Sequence, residues 1–309
     1  MRHIFIINPK SGQGKVQKKL MQDLTRLSLE FYLTKSSNDA EEYIKNLCRA
    51  NPTEIIRFYA CGGDGTLNLV LNGVVGFENA EVAVVPMGSG NDFIRNFDIP
   101  FETFRDIDSQ IAGTAKAFDI IKYQDTAKSC DARYAFNMCN IGFDCHVVVN
   151  TTRFKGLPLV NGAIAYFLSI LFTLIKKEGA ELIVDFKDGS SYDGKVLFTA
   201  MGNGAYCGSG IKGLPKAELD DDLLDICVVK DVPRRTIFSL WPKYAKGLHL
   251  EDDKAKPILV YKKCKSIIVK NYKDSWFMSV DGEIMTITSE DVCFETMPKA
   301  VKFSLPNVD

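Results

Sequence analysis

The sequence predicts an α/β region followed by an all-β region: an N-terminal three-layer α/β/α domain on a mostly parallel sheet, then a C-terminal antiparallel domain resembling a β-sandwich. Three observations carry this. Over the first third, apolar runs of strand type alternate with segments of helix type, the rhythm of a parallel sheet covered on both faces. Near residue 116 the rhythm changes to strand-like runs joined by turn signals, the pattern of antiparallel sheet. Three glycine-rich stretches fall where a strand hands over to a helix, the end of an open α/β sheet at which ligands gather. At 309 residues the chain is long enough for two domains with cores of their own. The boundary is expected between Gly113 and Lys116, dividing residues 1–115 from 116–309.

In order, HIFIIN precedes the helical KVQKKLMQDLTRLSL, EFYLT precedes NDAEEYIKNLCRA, IIRFYA precedes LNLVLNGVV, and EVAVVPMG precedes NDFIRNF. The second region reads as strands in AFDIIKY, YAFNMCNIGF, ELIVDFKDGSSYDGKVLFTAM, LLDICVV, ILVYKKCKSIIVKNY and WFMSVDGEIMTIT. Two helical segments interrupt it, Ile164 to Lys177 and Arg234 to Lys246. No internal repeat or low-complexity segment is present.

Thirty-eight basic against 39 acidic residues give a formal charge of −1, so no global positive field recruits nucleic acid. The 9 cysteines are scattered, without a C-x-x-C pair, and read as reduced thiols of a cytoplasmic protein serving as small apolar fillers. Residues 156 to 175 carry no charge, yet Pro158, Asn161 and Gly162 interrupt them, and the continuous apolar part from Ala163 would rise only about 20 Å as a helix. A buried or interface-touching helix is expected there, with no transmembrane segment.

The first handover, NPKSGQGK, lacks the Lys-Ser/Thr of a Walker loop and the third glycine of a dinucleotide fingerprint. Gly12 and Gly14 still let amides turn toward an anion at a helix start, although an ordinary turn explains the loop equally well. In CGGDGT, Gly62, Gly63 and Gly65 flank Asp64, and Thr66 adds a hydroxyl. A carboxylate facing phosphates makes sense with a divalent cation between them; the plain alternative is a tight turn capped by Asp64. PMGSGNDF repeats the pattern with Ser89, Asn91 and Asp92. Three such loops on one sheet edge favour a nucleotide-phosphate site.

NPKSG, GGDGTLN and PMGSGNDF at these separations resemble the catalytic domain of diacylglycerol kinases, the group that includes sphingosine and ceramide kinases and bacterial lipid kinases. NIGFD at 140–144, PKAELDDDLLDI at 215–226, GLHLE at 247–251 and SVDGE at 279–283 follow in that family's order, so the resemblance covers essentially the whole chain. It implies that Asn8, Pro9, Lys10, Ser11, Gly12, Thr34, Gly62, Gly63, Asp64, Gly65, Thr66, Leu67, Asn68, Ser89, Asn91 and Asp92 surround ATP, with Asp64 and Asp92 orienting its Mg²⁺ and Lys15 and Arg95 adding charge. It implies that Glu283 accepts the proton of an attacking lipid hydroxyl, supported by Asp281; the residues alone read SVDGE only as a hairpin. It also implies a structural Mg²⁺ at Asp221 and the carbonyls near Glu218 and Leu223.

Three positions depart from the family pattern. Leu69 stands where glutamate is common, Asp222 where glycine is usual, and Ser89 where threonine is common. The implied reaction is phosphoryl transfer from ATP to a lipid hydroxyl, diacylglycerol first, with a sphingoid base, ceramide or NAD as alternative acceptors and a non-catalytic binding protein as the rival of another class. The implied partner is a lipid at the inner face of a membrane, met peripherally through residues 163–175 and the basic pairs KK at 176 and 177 and KKCK at 262–265; a homodimer is allowed.

Overall fold

The computed structural model describes residues 1–11, 15–36, 39–126, 132–155, 162–176, 179–273 and 275–308. Gly12, which the resemblance assigns to the nucleotide, and Lys177 lie outside them. The first region is β1 (Arg2–Ile7), α1 (Lys15–Arg26), β2 (Glu30–Leu33), α2 (Asp39–Ala50), β3 (Ile56–Gly62), α3 (Asp64–Val74), β4 (Ala80–Pro86), α4 (Phe101–Arg105) and α5 (Ile107–Ile111). The second is β5 (Thr114–Asp125), β6 (Arg133–Ala135), β7 (Met138–Gly142), α6 (Phe143–Lys155), α7 (Gly162–Lys176), β8 (Ala180–Asp185), β9 (Ser191–Gly202), β10 (Leu224–Lys230), α8 (Arg234–Ala245), β11 (Leu259–Cys264), β12 (Ser266–Asn271), β13 (Trp276–Val280), β14 (Glu283–Ile287) and β15 (Asp291–Leu305).

Strands β2, β1, β3 and β4 lie side by side in parallel, and β5 to β15 are mostly antiparallel, as the two rhythms predict. The central strands β3 and β4 are buried throughout, which is why they read as unbroken apolar runs. The two regions form one continuous sheet. The end of β15 runs parallel to β4, pairing Lys302 with Glu81 and Phe303 with Val82, while most of its length is laddered antiparallel to β5. Phe93 of the first region packs 4.6 Å from Phe136 and 5.0 Å from Phe303, ring centre to ring centre. Phe118, Ile120, Phe136, Val301 and Phe303 therefore join the core beneath the parallel strands.

Several elements differ from the sequence reading, and α4, α5 and β15 have no predicted counterpart. NDFIRNF forms one 3₁₀ turn, Phe93–Asn96, rather than an α-helix, because Asn91 takes a positive φ of 50° and the loop is held by another segment's carboxylate. YAFNMCNIGF is two short strands with a break at Phe136 and Asn137, whose amides leave the ladder for Asp281. Helix α6 matches no predicted element: its Val-Val-Val and Thr-Thr runs have strand propensity, and packing against α7 overrides it. Among the described residues, no helix is long and apolar enough to cross a membrane, and the eight described cysteines form no disulfide with one another.

Candidate active site

Sheet register gathers the glycine-rich loops. Ile7 pairs with Leu33 and with Cys61, and Gly62 pairs with Pro86, so Asn8, Thr34, Gly63 and Met87 leave their strands along one edge. Asn8 Oδ1 accepts from the Lys10 N–H at 2.9 Å, and its Nδ2 reaches Thr66 Oγ1 at 3.5 Å. The Gly62 carbonyl accepts from Met87 N at 2.8 Å and Gly88 N at 3.1 Å, locking the second loop to the third. The protein itself requires a small residue at Gly88, where a Cβ would lie 2.5 Å from Gly63 Cα, whereas a Cβ on Gly65 would lie 2.5 Å from Oε1 of the Glu283 side chain. Pro9, Lys10 and Ser89 are exposed, and Ser11, Thr34 and Gly65 half-buried, so this row opens to solvent. Leu67 is buried in the core and offers a ligand only its main chain.

Asp64 does not cap its own helix. No side chain caps α3, and the Asp64 carboxylate crosses to the third loop, accepting from Asn91 N at 2.7 Å and Asp92 N at 2.8 Å. Burial, then the neighbouring Asp92 charge, push its carboxyl up to about 6 against the pull of those two amides. Asp92 makes the next link, accepting from Ser209 N at 3.0 Å and Gly210 N at 2.8 Å. Burial raises its pKa too, opposed by those donors and by Arg95, whose Nε lies 3.4 Å away.

Asp281 and Glu283 flank the turn between β13 and β14. Asp281 and Gly282 both take positive φ, 47° and 84°, as a two-residue Asp-Gly hairpin of type I′ requires. The Asp281 carboxylate is buried and saturated: Oδ1 accepts from Asn137 N and Met138 N at 3.0 and 3.1 Å, and Oδ2 from Phe136 N and Asn68 Nδ2 at 3.0 and 2.9 Å. Burial raises its pKa, and the four donors oppose that. Glu283, two residues on, is exposed and lies over Gly65 of the glycine loop. The hairpin thus brings one saturated and one exposed carboxylate to the CGGDGT loop, although more than 200 residues separate them in sequence. Asn68, expected at ATP, instead donates to Tyr134 O and Asp281.

Between these groups lies a cleft of about 90 Å³ lined by Asp64, Asp92, Asn137, Asn140, Asp281 and Ser279, among others. Asn140 Oδ1 is buried there without a hydrogen-bond partner among the described residues. Phe143, Ile170, Trp241 and Tyr244 form its other wall, and the same four line an apolar cavity of about 230 Å³. Sequence reasoning missed this wall and the Asn137 and Asn140 contacts; NIGFD and GLHLE were recognised by position only.

The acidic turn has a protein cation of its own. Lys263 Nζ lies 2.6 Å from Asp221 Oδ2 and 3.4 Å from Asp225 Oδ2, and Asp221 Oδ1 accepts from Leu223 N. A divalent ion on Asp221 would have to displace that ammonium. Glu218 is 3.7 Å from the same Nζ. Asp222 keeps a φ of 62° despite its side chain, held by its amide donating to Asp119 Oδ2 at 2.7 Å. Among the described residues no group of three or more His, Cys, Asp or Glu is disposed to hold a metal ion. For a nucleotide's own cation the fit is better: Asp64 and Asp92 face one cleft, each carboxylate oxygen accepts one amide hydrogen bond, and a cation would relieve their mutual repulsion.

The architecture sets an α/β half with glycine loops against a β half that contributes a carboxylate hairpin. Residues 2–123 match the diacylglycerol kinase catalytic domain, and residues 137–304 match the YegS C-terminal NAD kinase beta sandwich-like domain. The chain belongs to the diacylglycerol kinase catalytic-domain family. Curated relatives include the diacylglycerol kinases of Staphylococcus carnosus strain TM300, 26% identical over 90% of this chain and 87% of the relative, and of Staphylococcus aureus strain MRSA252, 28% identical over 90% and 85%. A crystal structure of a diacylglycerol kinase from Bacillus anthracis strain Sterne superposes with a TM-score of 0.68 at 21% identity, covering 99% of this chain and 97% of that one. That likeness is one of fold.

Proposed function

We propose that this protein is an ATP- and Mg²⁺-dependent lipid kinase that phosphorylates a lipid hydroxyl, with diacylglycerol to phosphatidic acid the leading reaction. The observation that carries the reading is the shared wall: a carboxylate-lined cleft beside the glycine loops backs directly onto an apolar cavity, so a molecule with a polar head and an apolar body has a place for each end. The amides and hydroxyls of Asn8 to Ser11, Thr34, Gly63 to Thr66 and Ser89 hold the nucleotide, and Asp64 and Asp92 orient its cation. Magnesium–ATP, when bound, supplies the phosphoryl group and the charge that neutralises it. Glu283 orients the acceptor hydroxyl and takes its proton as the new O–P bond forms and the γ-phosphorus bond to the departing ADP breaks. Asp281, with no oxygen to spare, fixes the hairpin that presents Glu283 and so acts as a positioning residue.

Membrane contact follows from the substrate class. Ile164, Leu171 and Ile175 on α7 and Phe238 on α8 are exposed, and the Arg234 side chain of α8 donates to the Ile175 carbonyl at the end of α7. These apolar groups flank basic residues, a surface suited to an anionic bilayer.

The test is labelled ATP with Mg²⁺ against a panel of micellar lipids and NAD, wild type beside Glu283→Gln. Lipid phosphorylation is expected, falling about 10²- to 10⁴-fold in the variant with an unchanged melting temperature. Phosphorylation of NAD alone, or nucleotide binding without transfer to any acceptor, would replace this reading.

A further inference from the structure

His249 is the polar exception in the apolar cavity. It opens the 3₁₀ turn His249–Glu251, is 2% exposed, and lines the cavity with Phe198, Val229, Ile237, Leu240 and Leu259. Its ring lies 4.7 Å from that of Tyr244, the residue whose side belongs to both cavity and cleft. Neither ring nitrogen has a hydrogen-bond partner among the described residues. The Tyr244 carbonyl draws the ring's basicity upward without making a bond of hydrogen-bonding geometry to the imidazole. Buried polar atoms without partners are rare and costly, so their retention beside a cavity points to a partner that the ligand brings.

The kind of partner follows from protonation and place. Burial pushes the His249 pKa down to about 4, so at neutral pH the imidazole is uncharged and offers one N–H. The hydroxyl to be phosphorylated must reach the carboxylates across the Trp241 and Tyr244 wall, so the atom that meets His249 is a second polar atom, set within an apolar body. An acyl carbonyl has that character: it accepts a hydrogen bond, donates none, and continues into a methylene chain.

We infer that His249 is a specificity-determining residue whose ring N–H binds an acyl carbonyl of the lipid acceptor, so that the cavity selects acyl lipids over alkyl ones. The inference rests on the lipid-kinase reading and deepens it by naming the chemistry of the acceptor's body. The experiment compares kcat/KM for dioctanoylglycerol with that for its dioctyl ether counterpart, matched in chain length but lacking carbonyls, in wild type, His249→Leu and His249→Gln. Wild type is expected to favour the ester about tenfold, through KM rather than kcat. The Leu variant should bring the two acceptors within about twofold, and Gln, which keeps an N–H, should restore part of the preference. A short-chain ceramide, whose carbonyl belongs to an amide, distinguishes the two acyl sources. An ester-to-ether ratio identical in wild type and His249→Leu overturns the inference while leaving the kinase reading intact. The ratio is internal to each protein, so partial loss of fold does not mimic the result, and Gln carries the comparison if Leu fails to fold. If no lipid is phosphorylated, the kinase reading fails, and quenching of Trp241 fluorescence by the same pair decides separately. Ester binding tighter than ether in wild type but not in His249→Leu supports the inference, and equal binding overturns it.

Discussion

Asp64, Asp92 and Asp281 each accept from the main chain of a different segment, and that shared habit makes them cross-braces as well as charges. Asp281 is the extreme case, with three buried amides and Asn68 on its two oxygens. Asp281→Ala strands those donors, and a loss of about 3–5 kcal/mol in stability by urea denaturation is expected, with kcat of the folded fraction falling as well because Glu283 is no longer held in place. His249 gives the molecule a pH signature. Its folded pKa, about 4, lies below the ordinary histidine value of 6.5, so the unfolded chain binds more protons between those values and stability drops as pH falls through that window. Asp64, raised to about 6, acts in the opposite sense over much of the same range. The effect is therefore read from a difference: wild type minus His249→Leu stability, measured from pH 7 to pH 4, should shrink by up to about 3 kcal/mol on acidification. A pH-independent difference would mean that the ring is charged or solvated in the fold.

The glycine loops and the β13–β14 hairpin show how elements share the work of the cleft. Two glycines there face very different neighbours. A Cβ on Gly88 would meet main chain at Gly63, whereas one on Gly65 would meet the far end of the Glu283 side chain. Main chain cannot give way, so Gly88→Ala should cost about 1–3 kcal/mol, seen as a lowered melting temperature. A side-chain tip swings aside, so Gly65→Ala should leave the melting temperature within about 2 °C and instead lower kcat, because Glu283 no longer lies where the hairpin aims it. Equal effects on stability and turnover in both variants would contradict this division. Neither contact was legible in CGGDGTLN or SVDGE, which indicate flexible turns without saying which turn faces which.

At the scale of the molecule, β5 and β15 bind the two regions into one sheet, and Phe303, near the end of the chain, packs within the core under β4. Phe303→Ala should destabilise the protein by about 3–5 kcal/mol. Because that residue's contacts span both regions, far-UV circular dichroism and fluorescence of Trp276, which lies in the second region's core, should still report one coincident transition. Two separated transitions would show that the shared sheet does not couple the regions.

Local chemistry fixes what short range can fix, and by that route the sequence determined the alternation of strands and helices, the antiparallel rhythm beyond residue 116, the Asp-Gly hairpin and the three loops on one sheet edge. Each follows from the period of side-chain burial or from the backbone conformations that glycine and aspartate permit. Tertiary structure alone decided that Asp64 braces the third loop rather than its own helix, that Phe136 and Asn137 leave their ladder for Asp281, and that Lys263 neutralises the acidic turn. It also decided that a polar cleft and an apolar cavity share a wall. These are contacts between segments tens to hundreds of residues apart, and a hydrogen-bond donor or an apolar face carries no mark in the sequence of the partner that packing will bring to it.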